Sequence, residues 1–122
     1  MTVVYLNDRF VEYENAKVSV EDRGFNFGDG VYEVIRCYNG KPFCLDRHLK
    51  RMMQGLSELM IPFEIGQAKL GAVCEEALKR SGESDALIYV QVTRGTAPRA
   101  HNFPENPKPT VLVLVRGSQP KS

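Results

Sequence analysis

The stretch VYEVIRCYNGKPFCLDRHLKRMMQGLSELM (residues 31–60) decides the fold of this chain. β-Branched and aromatic residues flank Asn39 and Gly40, and these two residues tolerate the positive φ angles that a type I′ hairpin turn requires. The first half of the stretch therefore predicts two antiparallel strands, at residues 31–38 and 41–44.

The second half of the stretch predicts an amphipathic helix that ends before Pro62. Apolar residues recur there at helical spacing, with charged residues between them. A second helical pattern covers residues 70–78, and Gly82 is placed to stop it. The apolar positions of the first helix are Leu45, Leu49, Met52, Met53, Leu56 and Met60.

Short β-rich segments lie on both sides of the two helices. Residues 3–6 and 10–13 predict a hairpin, and residues 18–20 predict a further short strand. Residues 86–93 and 110–116 predict two longer strands. Because strands precede and follow the two helices, we expect an α+β domain with an antiparallel or mixed sheet and both helices packed on one face.

Length and charge limit the remaining possibilities. The 122 residues allow one compact domain, predicted at residues 1–116, and residues 117–122 have the composition of an interdomain linker. A net charge of +1 gives no chain-wide field for nucleic acid or an anionic membrane. No stretch approaches the ~18 apolar residues of a membrane span, and the start lacks a signal-peptide pattern, so we expect a cytoplasmic location.

Neither the cysteines nor the acidic residues predict a metal site. Cys37, Cys44 and Cys74 are odd in number and lack C-x-x-C spacing, so we expect core residues rather than disulfides or zinc ligands. Asp29 and Gly30 are typical turn residues, and no His, Asp and Glu set has the spacing of metal ligands.

The segment DRGFNFGDG (residues 22–30) places three glycines and two aromatic residues close together, which predicts an ordered loop. Its glycines do not form G-x-G-x-x-G, and a strand rather than a helix follows them. A dinucleotide-binding turn is therefore excluded.

Four residues are candidates for binding an anion. Arg99 and His101 lie two residues apart in the long loop at residues 95–109, so in an extended segment they point to the same side. Tyr32 stands at the start of a predicted strand, where its phenol is able to donate to a carboxylate. Arg51 lies on the polar side of the first helix, where arginines are usually solvated or ion-paired.

Three segments together resemble the class IV pyridoxal-phosphate aminotransferases. They are DRGFNFGDGVYE (residues 22–33), the helix bearing His48 and Arg51, and VTRGTAPRAHNFPE (residues 92–105). The resemblance covers essentially the whole chain in order, but only the N-terminal domain of the family. The Arg-x-His sequence in the third segment favours the D-amino-acid branch, and branched-chain aminotransferases and aminodeoxychorismate lyases are the alternatives within the family.

The resemblance implies a role for each candidate residue. Arg51 matches the arginine that binds the phosphate of pyridoxal 5′-phosphate. Tyr32, Arg99 and His101 match the group that holds the substrate α-carboxylate, with Arg99 and His101 reaching across from the other subunit of a homodimer. The implied reaction transfers the amino group of a D-amino acid, such as D-alanine, to a 2-oxo acid.

The family's Schiff-base lysine matches no residue of this chain and belongs to the domain that follows the linker. The resemblance therefore implies no catalytic residue within these 122 residues, and we expect them to be inactive alone. A domain that binds phosphate or carboxylate ligands without catalysis is the alternative outside the family's chemistry.

Overall fold

The computed structural model describes residues 1–118, in which six strands and three helices form the predicted α+β fold. The strands are β1 (Val3–Leu6), β2 (Arg9–Val11), β3 (Gly30–Tyr38), β4 (Lys41–Pro42), β5 (Ala86–Thr93) and β6 (Thr110–Gly117). The helices are α1 (Arg23–Phe27), α2 (Leu45–Glu58) and α3 (Gly66–Ser81), and a short 3-10 turn covers Tyr13–Asn15. All strand pairs in this part of the chain are antiparallel, and the sheet order is β2-β1-β6-β5-β3-β4.

The predicted hairpin is present, with a shorter second strand. Asn39 and Gly40 have φ angles of 52° and 74°, and both angles lie in the region that a type I′ turn needs. The prediction of a strand over residues 41–44 is wrong beyond Pro42. Cys44 adopts a left-handed conformation with φ 58°, which turns the chain out of the sheet and into α2.

Both long helices pack on one face of the sheet, as predicted. The apolar side chains of α2 and α3 meet the inward side chains of the central strands in one core, where each large aliphatic side chain stabilises the fold by about 1.5–3 kcal/mol. The members with least exposure include Leu49, Met52, Leu56, Leu70, Ile35, Ile88, Val90, Val113 and Val115.

Helix α2 ends earlier than the sequence predicts. Met60, expected on the apolar face, is exposed and has a φ angle of 56°. The Met60 N–H donates to the Ser57 carbonyl and the Ile61 N–H donates to the Leu56 carbonyl, at 3.0 and 2.9 Å. These two bonds form a Schellman motif, in which Met60 takes the place that glycine usually holds.

The N-terminal segment also departs from prediction. Strand β2 ends at Val11, so the predicted strand at residues 10–13 gives way to the 3-10 turn. Residues 18–20 form no strand, and Val18 and Val20 are exposed. These valines have no neighbouring strand to pair with, which local β propensity does not reveal.

The glycine-rich segment, predicted as a loop, contains helix α1. The Asp22 carboxylate accepts a hydrogen bond from the Gly24 N–H at 2.8 Å and caps the helix at its start. Gly28, with φ 64°, ends it in the left-handed conformation. Five residues are too few to show helical periodicity, so the sequence pattern does not reveal this helix.

One carboxylate ties α1 to the end of β5. Asp29 Oδ2 accepts from Arg23 Nε at 2.8 Å and from Arg94 Nε at 2.7 Å. The exposed fractions of the Arg23, Arg94 and Asp29 side chains are 4%, 2% and 9%. Arg94 also donates to the carbonyls of Leu59 and Met60, at 2.7 and 3.2 Å, and so holds the end of α2. We call Arg23, Asp29 and Arg94 the arginine-aspartate triad.

Burial alone would raise the pKa of Asp29. Hydrogen bonds from Arg94 and Arg23, together with their charges, outweigh this effect and hold the pKa below its ordinary value. The ionised carboxylate is therefore the form that stabilises the fold.

The end of the described chain remains attached to the sheet. Strand β6 continues through Gly117, one residue past the predicted strand, and the Ser118 N–H donates to the Asp85 carbonyl at 3.0 Å. The rest of the predicted linker, residues 119–122, lies outside the described residues. Within residues 1–118 no helix has the length and apolar character needed to cross a membrane.

Asp29→Asn leaves two buried guanidinium groups without a counter-charge, so we expect a loss of about 3–5 kcal/mol in the free energy of unfolding at pH 7. Urea unfolding followed by circular dichroism measures this loss. The control is Asp8→Asn, which removes an exposed partner of Arg9 and should change stability by less than about 0.5 kcal/mol.

The same pair of variants gives a pH test. Because the pKa of Asp29 is lowered on folding, its contribution is fully present above the ordinary pKa of about 4 and is lost as the pH falls through the lowered value. The difference between wild type and Asp29→Asn should be constant from about pH 7 to 5 and shrink below about pH 4. A difference that grows on acidification would contradict the triad's role.

Candidate functional site

Strand β3 places alternate residues on opposite faces of the sheet. Ile35 and Cys37 point into the core under the helices, so Glu33 points to the same side. Tyr32 points to the other face, where its side chain is 71% exposed. Tyr32 and the helix residue Arg51 therefore lie on different sides of the sheet.

Glu33 binds two side chains of α2. Arg51 donates from Nε to Oε2 at 2.8 Å and from Nη2 to Oε1 at 2.6 Å, which is a two-bond carboxylate–guanidinium pair. His48 Nδ1 lies 2.6 Å from Oε1. His48 and Arg51 are three residues apart on the helix, so both reach the strand below.

The charge state of Glu33 follows from these contacts. Hydrogen bonds from Arg51 are the largest cause that lowers the pKa of Glu33, and they outweigh burial, which would raise it. The glutamate is therefore ionised above its ordinary pKa and is an acceptor only, so the Nδ1 of His48 carries the hydrogen. Glu33 in turn raises the pKa of Arg51.

Arg51 keeps part of its guanidinium free. Its side chain is 71% exposed, and within residues 1–118 its Nη1 makes no hydrogen bond. Beside it lies a cavity of about 380 Å³ lined by Phe43, Cys44, Arg47, His48 and Arg51. Two arginines and a histidine contribute to this lining and no carboxylate does, so the donor set fits an anion such as a phosphate.

Arg99 and His101 meet at one aromatic ring. The Arg99 guanidinium carbon lies 5.3 Å from the Phe27 ring centroid, and the His101 ring centroid lies 5.6 Å from it. The segment is bent rather than extended, and both side chains nevertheless contact the same ring. Both side chains are exposed and are free to receive an anion from solvent.

The four candidate residues make few direct contacts with one another. Among the described residues, no hydrogen bond or ring contact joins Tyr32 or Arg51 to Arg99 or His101. Arg51 lies on α2 beside Glu33, Tyr32 lies on the open face of the sheet, and the loop pair contacts Phe27.

Sequence reasoning missed the partners of Arg51. The sequence pattern indicated neither Glu33 nor His48 as a partner of Arg51. The available signal was an acidic residue in the inward register of β3, since a buried carboxylate needs a cation on the facing helix. No group of three or more His, Cys, Asp or Glu side chains in residues 1–118 is arranged to hold a metal.

The prediction of core cysteines is confirmed for Cys37 and Cys74, which are buried and free. Burial raises the pKa of Cys37 to about 11, and burial with nearby Cys37 and Glu75 raises that of Cys74 to about 12. Both thiols are therefore protonated at neutral pH and are poor nucleophiles. Cys44 is only half-buried and lines the cavity beside Arg51.

Known proteins resemble this chain in sequence and in structure. The D-alanine aminotransferase of Staphylococcus epidermidis is 41% identical over 117 residues, which cover 95% of this chain and 42% of that protein. The T.th. branched-chain amino acid aminotransferase, solved with pyridoxamine 5′-phosphate, matches 98% of this chain and 40% of its own, with a TM-score of 0.90 and 25% identity.

The 4-amino-4-deoxychorismate lyase of Pseudomonas aeruginosa matches 94% of this chain and 39% of its own, with a TM-score of 0.76 and 30% identity. The chain thus spans about two fifths of the length of each of these proteins. The model of the amino-transferase class IV family matches residues 30–122. By this match the chain belongs to the class IV aminotransferases.

Proposed function

We propose that this chain is the N-terminal part of a D-amino-acid transaminase, which transfers an amino group from a D-amino acid such as D-alanine to a 2-oxo acid. The observation that carries the proposal is the Arg51 guanidinium, fixed on one side by Glu33 and free on the other beside a cationic cavity. The D-amino-acid branch is supported by the 41% identity to a D-alanine aminotransferase and by the paired Arg99 and His101.

The cofactor of the proposed enzyme is pyridoxal 5′-phosphate. When bound, it supplies an electron sink that stabilises the charge left on the substrate Cα after proton removal. Arg51 would hold its phosphate through the free guanidinium edge, because a planar fork suits phosphate oxygens. Glu33, itself in contact with His48, restricts the rotation of the Arg51 side chain, so less entropy is lost when the phosphate binds.

The substrate carboxylate is assigned to Tyr32, Arg99 and His101. The Tyr32 hydroxyl and the Arg99 guanidinium donate hydrogen bonds, and His101 adds a ring donor. As the resemblance to the family implies, we propose a homodimer in which Arg99 and His101 complete the partner's site. We assign the Schiff-base lysine to the part of the protein that matches the remaining length of the relatives.

A second candidate is a branched-chain aminotransferase or an aminodeoxychorismate lyase. The TM-score of 0.90 with a branched-chain aminotransferase favours the first, and the 30% identity with a lyase favours the second. Both would use Arg51 in the same way, so the substrate alone distinguishes them from the leading proposal.

A substrate panel tests the proposed activity on the protein expressed from its complete gene. We expect the kcat/KM for D-alanine, measured as pyruvate formed with 2-oxoglutarate, to be at least about tenfold above the kcat/KM for L-leucine. The support for this preference is the 41% identity to a D-alanine aminotransferase. Aminodeoxychorismate should give no pyruvate. A preference for L-leucine or for aminodeoxychorismate would replace the proposal by the corresponding alternative.

Arg51→Lys should weaken the binding of pyridoxal phosphate by at least about tenfold, because an ammonium group cannot replace the guanidinium fork on Glu33 and phosphate together. Fluorescence titration of the cofactor-depleted full-length protein measures the dissociation constant. Arg80→Lys is the matched control, since Arg80 is an exposed helix arginine that pairs with Glu76. Equal affinities in the two variants would remove Arg51 from the phosphate site.

Arg99→Ala should raise the KM for D-alanine about ten- to a hundredfold, because the substrate carboxylate loses a charged donor. Steady-state kinetics on the full-length protein give the value. Arg9→Ala, which removes an exposed arginine from the distant β1–β2 hairpin, should leave KM unchanged. An unchanged KM in Arg99→Ala would refute the carboxylate assignment.

A further inference from the structure

The loop that carries Arg99 and His101 is held at its centre by a buried side chain of α1. Arg23 Nη1 donates to the Ala100 carbonyl at 2.7 Å and contacts the Asn102 carbonyl at 3.4 Å. These carbonyls belong to the residues on either side of His101. A loop without regular hydrogen bonding is costly to order, so two contacts at this point restrict it where the binding pair lies.

Arg23 is itself fixed from the sheet side. Its Nε donates to Asp29 at 2.8 Å, and its backbone N–H donates to the Gly95 carbonyl at 2.8 Å, where the loop begins. Its guanidinium carbon lies 4.7 Å from the Phe27 ring centroid and 5.7 Å from that of Phe103. Arg23 therefore spans the loop from its first residue to its middle.

Phe27 contacts the side chains of Arg99 and His101, whereas Arg23 contacts the loop backbone. Its ring meets the Arg99 guanidinium and the His101 imidazole on the solvent side, and it also contacts the buried Arg23 guanidinium. One aromatic ring thus contacts three cationic or cation-forming groups, an arrangement that cation–π attraction stabilises. Arg23 fixes the backbone around His101, and Phe27 fixes the side chains of the pair.

We propose that Arg23 and Phe27 are positioning residues that set the place of the Arg99 and His101 donors for the substrate carboxylate. This inference rests on the proposed function. Neither residue touches substrate; each acts through the loop. Because a carboxylate is held alike before and during the reaction, loss of its positioning should raise KM while kcat changes little.

The first experiment compares Arg23→Lys with Arg94→Lys in the full-length protein. Both variants keep a positive charge beside Asp29, and both lose the guanidinium geometry. The two substitutions therefore disturb the triad in the same way. Arg23 donates to the carbonyls of Ala100 and Asn102 in the loop, whereas Arg94 donates to those of Leu59 and Met60. Arg94 meets the loop through its guanidinium, 3.9 Å from the Phe103 ring centroid, and a lysine at this position keeps a cation beside the ring.

We expect Arg23→Lys to raise the KM for D-alanine by about tenfold with kcat within about twofold, and Arg94→Lys to leave KM near wild type. A KM that rises equally in both variants would show that loss of stability alone is responsible, and would overturn the inference. An unchanged KM in Arg23→Lys would overturn it as well.

A second readout needs neither activity nor cofactor. Trypsin cleaves the peptide bond between Arg99 and Ala100. The carbonyl of Ala100 accepts a hydrogen bond from Arg23. Mass spectrometry should show faster cleavage there in Arg23→Lys than in Arg94→Lys, by about fivefold or more, because the loop opens locally. Equal cleavage in the two variants would refute the positioning role even if the protein proves to have another substrate.

Phe27→Leu tests the same inference without disturbing the triad's charges. We expect it to raise KM and to speed cleavage after Arg99. The matched control is Phe25→Leu on the same helix, where the aromatic side chain is 75% exposed, and it should behave as wild type in both assays. If Phe27→Leu and Phe25→Leu behave alike, Phe27 has no positioning role.

The proposed substrate and the positioning of the loop fail independently. If the full-length protein has no activity on D-alanine but shows these cleavage differences, the proposed substrate is refuted and the positioning of the loop stands.

Discussion

The Asp29 carboxylate is the group on which the functional part of this structure depends. It lies between two buried guanidinium groups that belong to segments far apart in the chain, at the start of α1 and the end of β5. A buried arginine without a counter-charge is strongly unfavourable, so both arginines need this one oxygen. Their remaining donors then contact the end of α2 and the middle of the long loop, which links three separate elements.

A second acidic residue has a similar arrangement and a different consequence. Glu33 also receives a guanidinium, but Arg51 is largely exposed and keeps a free edge. The triad uses its arginine donors inside the protein and stabilises the fold, whereas the Glu33 pair leaves donors for a ligand. The contrast distinguishes a structural arginine from one available to bind, although both are salt-bridged.

The sequence predicted the features that local chemistry controls. The φ angles at Asn39 and Gly40 follow from their side chains, and α3 stops at Gly82, whose φ angle is 68°. The sequence did not predict the features that depend on contacts between residues far apart in the chain. Helix α1 is too short to show a period, and Met60 ends α2 with a positive φ angle that composition does not suggest. Arginines are usually exposed, so the burial of Arg23 and Arg94 was unexpected.

For the candidate site, the sequence likewise predicted the residues but not their arrangement. Arg51, Tyr32, Arg99 and His101 were found from their spacing and from the family resemblance. The separation of Tyr32 from Arg51 depends on the sheet, because β3 sends Tyr32 and Glu33 to opposite faces. The role of Glu33 behind Arg51 required knowing that α2 packs over β3, which no local pattern encodes.

A structure of the full-length protein with pyridoxal phosphate bound tests the central claim most directly. We expect the phosphate oxygens to lie about 2.7–2.9 Å from the Arg51 guanidinium, with the Glu33 pair still in place and Arg99 and His101 facing a carboxylate site. A phosphate held elsewhere, with Arg51 bound only to Glu33, would contradict it.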